Sequence, residues 1–168
     1  LLFNLGWMAF NIFLAIVPIV FGFLMLKSKS HLIKIGSGII WFFFLPNTLY
    51  LLTDIINFPS DAKKLTGFYL TLDLALYIAL MIIGVITFIL AIDPFERMLF
   101  SKKSRAKVRD NMPIIYVLNF LVGFGIVLGR VHRANSWEVF TNTEKVIRSS
   151  LETVRSLELM ALVVIVGI

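Results

Sequence analysis

The chain has 168 residues, 59% of them hydrophobic and only 15% charged, with a mean hydropathy of +0.92 and a net charge of +6. Soluble domains keep about a quarter of their residues charged, whereas a bilayer solvates apolar faces directly. The basic residues stand in short segments between apolar runs, where they set orientation and meet anionic headgroups rather than nucleic acid; the lack of cysteine excludes disulfides, thiolate metal sites and cysteine nucleophiles.

A membrane-crossing helix needs about 20 mostly apolar residues. The first such run covers about 1–26 and is interrupted by Asn4, Asn11 and Pro18. The second covers about 32–52, with Pro46 and Asn47 near its end. The third, about 65–92, carries Asp73; the fourth is about 113–129; a fifth begins near Leu157 and runs to Ile168. The runs are too long for strands and lack their two-residue alternation. The expected fold is therefore all-α, a polytopic transmembrane helix bundle of four full spans and the start of a fifth, forming one membrane domain over 1–168. With no initial Met and an apolar end, it reads as an excerpt of a longer protein.

Lys27, Lys29 and Lys34 mark the first connection; Asp54, Asp61, Lys63 and Lys64 the second. The third is strongly basic, with Arg97, Lys102, Lys103, Arg105, Lys107 and Arg109. The fourth extends from Arg130 to about Ser156. In it, Thr141 and Glu144 have capping-box spacing, and Val146, Ile147, Leu151, Val154 and Leu157 line one side of a helix. The segment 143–156 then reads either as an amphipathic helix at the headgroups or as an extension of the fifth span. The first and third connections, short and basic, are expected in the cytoplasm, which puts the second and fourth outside.

Polar residues within spans are costly and usually have a reason. Pro46 frees a carbonyl one turn earlier, which an Asn47 amide can satisfy, so this stretch is either a capped kink or a site. Asn47, Tyr50 and Asp54 share one helix face. Asp73 lies one to two turns into its span, where a carboxylate needs a partner, a proton or water. With Arg130, Arg133, Asn135, Trp137 and Glu138 after the fourth span, these residues form a candidate binding site at the outer face or a set of structural ion pairs, Asp73 with Arg130 among them. Gly125 and Gly129 are spaced for close helix packing. No metal site is expected, nor any cofactor, and no phosphate loop or nucleophile elbow is present.

Four blocks carry a resemblance. They are Phe10-Asn11-Ile12-Phe13-Leu14-Ala15-Ile16-Val17-Pro18, Phe44-Leu45-Pro46-Asn47-Thr48-Leu49-Tyr50-Leu51-Leu52-Thr53-Asp54, Asp73 early in its span, and Gly123-Phe124-Gly125-Ile126-Val127-Leu128-Gly129-Arg130 with Arg133-Ala134-Asn135-Ser136-Trp137-Glu138. The chain resembles the bacterial membrane-protein family known as domain of unknown function 1361, with Thr48, Ala134 and Glu138 where that family often has Ala, Trp and Asp. The resemblance implies fold and motifs, and no activity.

Three functions fit the pattern. The first is a binding or accessory subunit, multi-pass in the cell membrane, recognising an anionic lipid headgroup, a lipid-linked saccharide or a protein partner. Guanidinium forks suit phosphate, amides and a phenol suit neutral groups, and Trp137 suits the interface. The second is an enzyme on a lipid-linked substrate with Asp54 or Asp73 as general base. The third is a small transporter using Asp73 and Arg130, against which the few spans and the lack of an inverted repeat count.

Overall fold

The computed structural model describes residues 2–99 and 106–167, with side chains from 5 to 99 and from 113 to 167. Among the described residues every regular element is helical. In chain order they are α1 (Leu2–Lys27), α2 (His31–Phe44), α3 (Pro46–Thr53), a 3-10 turn (Asp54–Asn57), α4 (Phe58–Ala62), α5 (Phe68–Leu99), α6 (Ala106–Val131), α7 (Glu138–Thr141), α8 (Thr143–Arg155) and α9 (Leu157–Gly167). Among the described residues four stretches are long and apolar enough to cross a membrane: Leu5–Lys27, His31–Ala62, Phe68–Leu99 and Pro113–Val131. The all-α bundle read from the sequence is thus the fold. Of the basic third connection, Lys102, Lys103 and Arg105 lie outside the described residues, as do the side chains of Lys107 and Arg109.

The chain forms two compact units, Leu1–Pro94 and Phe95–Ile168, divided within α5. In the first unit, α1 and α2 pack as a hairpin. A Cβ on Gly22 would stand 3.0 Å from the Trp41 ring and 3.2 Å from Pro94, so a hydrogen is the side chain that lets the elements meet there. The Trp41 indole donates to the Ala91 carbonyl at 2.8 Å, one turn before Pro94. Pro94 lacks an N–H and leaves the ladder around it a bond short, and the indole reaches a backbone oxygen of the same turn. Further along, Gly84 of α5 lies against α3, where an added Cβ would come within 2.9 Å of the Thr48 carbonyl.

Pro46 separates α2 from α3 without turning the chain, because Leu45 keeps right-handed helical angles. The Asn47 amide donates to the Phe44 carbonyl at 3.1 Å and the Thr48 hydroxyl to the Leu45 carbonyl at 2.7 Å. The local amide cap allowed by the sequence is what forms. The segment after Thr53 is helical too, so the second connection is a short polar corner rather than an open loop.

Met8, Ala15, Leu51, Tyr77 and Leu80 form the apolar core of this unit, with Trp7, Ile12 and Phe58 against it. Phe13, Val20, Ile39, Ile82 and Ile89 point outward and are exposed. In water such faces would drive aggregation, but lipid tails solvate them.

The second unit is built on α6. α9 runs antiparallel along it, with Gly123 facing Val163 and Gly167, while Gly167 faces Asn119 and Phe120. A Cβ on Gly123 would stand 2.7 Å from the Val163 carbonyl and 2.9 Å from the Gly167 nitrogen. Helices in lipid associate through this kind of backbone approach. The close backbone approach seen in this unit is at Gly123. α8 is capped by Asn142, whose side chain accepts from the Lys145 N–H at 3.3 Å, and not by Thr141. Thr141 is still in the preceding turn, its hydroxyl donating to the Trp137 carbonyl at 3.2 Å. Glu144 pairs with Arg148 instead of closing a capping box.

Candidate functional site

Each unit gathers polar side chains at a helix end. In the first unit the residues come from α1, the corner after α3, α4 and the beginning of α5. Asp54 is 1% exposed and Asp73 is 0% exposed. The Asn11 amide donates to Asp54 Oδ2 at 3.1 Å, joining two of the sequence blocks that carry the family resemblance. The Tyr77 hydroxyl donates to Asp61 Oδ2 at 2.8 Å, and Tyr77 is within electrostatic reach of Asp61, Asp73 and Asp54 together. Rings of Trp7 and Phe58 pack on the Tyr77 ring, with centroids 6.2 and 5.7 Å away. Among the described residues no hydrogen bond reaches Asp73 Oδ2.

Several carboxylates in an apolar setting are expensive, and donors such as Asn11 and Tyr77 offset part of that cost. Asp61 also has Lys64 at 3.8 Å, at the wetter edge of the cluster. Among the described residues no group of three or more His, Cys, Asp or Glu is arranged to hold a metal ion.

Asp54 and Asp73 both lie within electrostatic reach of Tyr77. The structure places Asn47 differently from a ligand-facing donor, because the amide is bonded to its own backbone one turn back. Tyr50 is half-buried, and its carbonyl takes the Thr53 hydroxyl. Three participants escaped the sequence reading. Asn11 stands in the sequence as an interruption of a span and Asp61 as a charge of the second connection, and Tyr77 carries no reading of its own. The four-residue spacing of Asp73 and Tyr77, which puts both on one face of α5, was the available signal.

In the second unit the residues come from the turn that follows α6. Arg130 lies in its last turn. Arg133 then has a φ of +51°, the left-handed region, which reverses the chain and lets the Ala134 N–H reach the Leu128 carbonyl at 3.2 Å. A non-glycine residue held there costs about 1 kcal/mol and needs support. Lys145 supplies it: its ammonium donates to the Arg133 carbonyl at 3.1 Å and to both Glu138 oxygens at 2.8 and 2.9 Å. Glu138 Oε2 also accepts from the Asn135 N–H at 2.6 Å.

The Lys145 hydrogen bonds first, then the Asn135 N–H, hold the Glu138 carboxyl below its ordinary value. Glu138 thus clamps the turn with both oxygens. The side chains left facing outward are Arg133 and Asn135, both exposed, with Trp137 half-buried beside them.

His132 ties this turn to α8. Thr153 gives its only hydroxyl proton to the Ser149 carbonyl at 2.9 Å, so His132 Nε2, 3.1 Å away, is the donor in that pair. The other ring nitrogen faces Glu152 at 3.5 Å.

Membrane-length apolar helices, lipid-facing side chains and polar groups collected at helix ends define a multi-pass helical membrane protein. The chain belongs to the family described as Protein of unknown function (DUF1361), whose model matches residues 10–168. No curated protein and no solved structure matches it.

Proposed function

We propose that this protein is a binding or accessory component of the cell membrane. Its extracytoplasmic polar site, on the turn after α6, recognises a membrane-bound phosphate ester, either an anionic lipid headgroup or a lipid-linked saccharide. The observation that carries this reading is Arg133: a left-handed residue whose carbonyl is fixed by Lys145 and whose side chain is exposed. A guanidinium presented from a fixed backbone at the end of a membrane span meets phosphate oxygens in its own plane. Arg130 contributes from the last turn of α6, Asn135 offers an amide, and Trp137 sits where an amphipathic ring favours the interface or stacks on a sugar.

The alternative is an enzyme acting on a lipid-linked substrate with Asp54 or Asp73 as general base. It draws less support, since a base must come within hydrogen-bond reach of the proton it removes, and both carboxylates are almost fully buried.

The test is lipid retention. Purify the full chain into lipid nanodiscs or mild detergent and identify bound lipids by native mass spectrometry. The proposal expects a phosphate-bearing species enriched over bulk lipid. Enrichment of phosphatidylglycerol-type lipids identifies a headgroup, and that of glycosylated lipids a saccharide carrier. Loss of one charge-assisted contact corresponds to about a tenfold drop or more, expected for Arg133→Gln and smaller for Arg133→Lys. Enrichment unchanged in Arg133→Gln sinks the assignment.

A further inference from the structure

α8 has three faces. One is buried against the protein and consists of small polar residues: Ser149 and Thr153, the latter meeting His132. A second is charged and exposed, with Glu144, Arg148, Glu152 and Arg155. The third carries Ile147, Leu151 and Val154, at spacings of four and three that make one continuous stripe. These three are 55%, 51% and 60% exposed. A helix of a water-soluble domain would bury that stripe and expose its serine and threonine. Here the arrangement is reversed.

We propose that α8 lies in the membrane surface, with the Ile147–Leu151–Val154 stripe in the acyl–headgroup boundary and Arg148 and Arg155 at the lipid phosphates. Two features select the bilayer as occupant. The first is continuity. Only Ser156 separates α8 from α9, an apolar helix packed antiparallel on the membrane-crossing α6, and Leu157 at its start is 88% exposed. A stripe adjoining lipid-facing helices meets the same lipid. The second is charge. Arg148 and Arg155 directly follow Ile147 and Val154 and stand seven apart, so both border the stripe on one side. Arginines at that border reach phosphates while their stems stay in the apolar layer. Phe140 on α7, 56% exposed, precedes the helix as a further apolar contact.

The proposal does not depend on Arg133 binding phosphate, since it concerns a different face and a different readout. The chain has no cysteine, so single labels need no background removal. Ile147→Cys, Leu151→Cys, Val154→Cys and Glu144→Cys full-length proteins are each given a nitroxide and reconstituted in vesicles of phosphatidylcholine and phosphatidylglycerol. Collision rates with oxygen and with a water-soluble nickel chelate report depth. The stripe labels are expected to favour oxygen over the chelate by about tenfold or more, corresponding to 1.4 kcal/mol of partitioning, and the label at 144 the reverse. Because all four positions are exposed, the labels leave the fold intact. Stripe labels open to the chelate place α8 in water and overturn the proposal. Stripe labels closed to both reagents overturn it too, because a protein partner or a second copy then covers the face.

Discussion

The Tyr77 hydroxyl reaches across to Asp61 Oδ2 at 2.8 Å and ties the membrane helix α5 to the polar corner before it. Tyr77 is fully buried and central to the core of its unit. Tyr77→Phe keeps the packing and removes the donor, so it should cost about 1–2 kcal/mol. Tyr77→Ala also opens a cavity and should cost about 3–5 kcal/mol. Thermal unfolding in detergent reads both, and equal losses would show that the hydroxyl carries the whole effect.

The Asn11–Asp54 contact joins α1 to the end of α3 at 3.1 Å. Asn11→Ala deprives a buried carboxylate of a donor, while Asp54→Asn removes its charge. The double variant should be less damaging than the sum of the singles, with a coupling of about 1–3 kcal/mol in a double-mutant cycle. Strict additivity would mean that the two side chains do not support one another.

Glycine positions give an internal contrast. Gly123→Ala and Gly84→Ala each place a methyl within 3 Å of a neighbouring backbone carbonyl, at Val163 and at Thr48. Both should lower stability by about 1–3 kcal/mol, because backbone cannot step aside as a side chain can. A methyl added at Gly36 in α2 would meet nothing within 4 Å. Gly36→Ala should be neutral or stabilising by up to about 1 kcal/mol. A common thermal shift for all three would contradict the packing argument.

The Glu138 clamp predicts a pH dependence. Its carboxyl is held below the ordinary value by Lys145 and the Asn135 N–H. A depressed folded-state value means the contribution is present above the unfolded carboxyl range, about 4.3, and is lost as pH falls through the folded value. The protection of the Asn135 amide against hydrogen exchange, measured relative to its intrinsic rate at each pH, should therefore fall on acidification below the ordinary carboxyl range. Glu138→Gln should remove that step. A step that survives the substitution belongs to another group.

Orientation can be tested with two cysteines. Ser104→Cys, in the basic connection, should resist an impermeant reagent in intact cells, and Ser136→Cys should react. The opposite pattern inverts the topology.

The four spans were legible because membrane helices announce themselves by length and apolarity, and no tertiary knowledge is needed to see them. Helix continuity was harder. The third run reads as ending near Ile92, yet α5 continues through Pro94 to Leu99. The corner at 54–62 looked like a loop because its charges hide short helical turns. In the candidate sites, acidic residues inside spans stood out by their cost. Their donors did not, since Asn11 and Tyr77 acquire a role only when α1 and α5 are brought to Asp54 and Asp61. Lys145 was equally opaque: twelve residues separate it from the carbonyl it holds.

The bare contact between Gly123 on α6 and Val163–Gly167 on α9 has a consequence for biogenesis. Gly123 precedes α9 in the chain, so the surface that α9 covers is made before its partner. Acyl chains do not compete well for a groove shaped to a backbone, so the late helix displaces them by fit and not by greasiness. Pairing of α9 with α6 is then expected to be a docking reaction within the bilayer. Its rate should follow the lipid's chain order: slower in saturated, tightly packed membranes and faster in fluid ones.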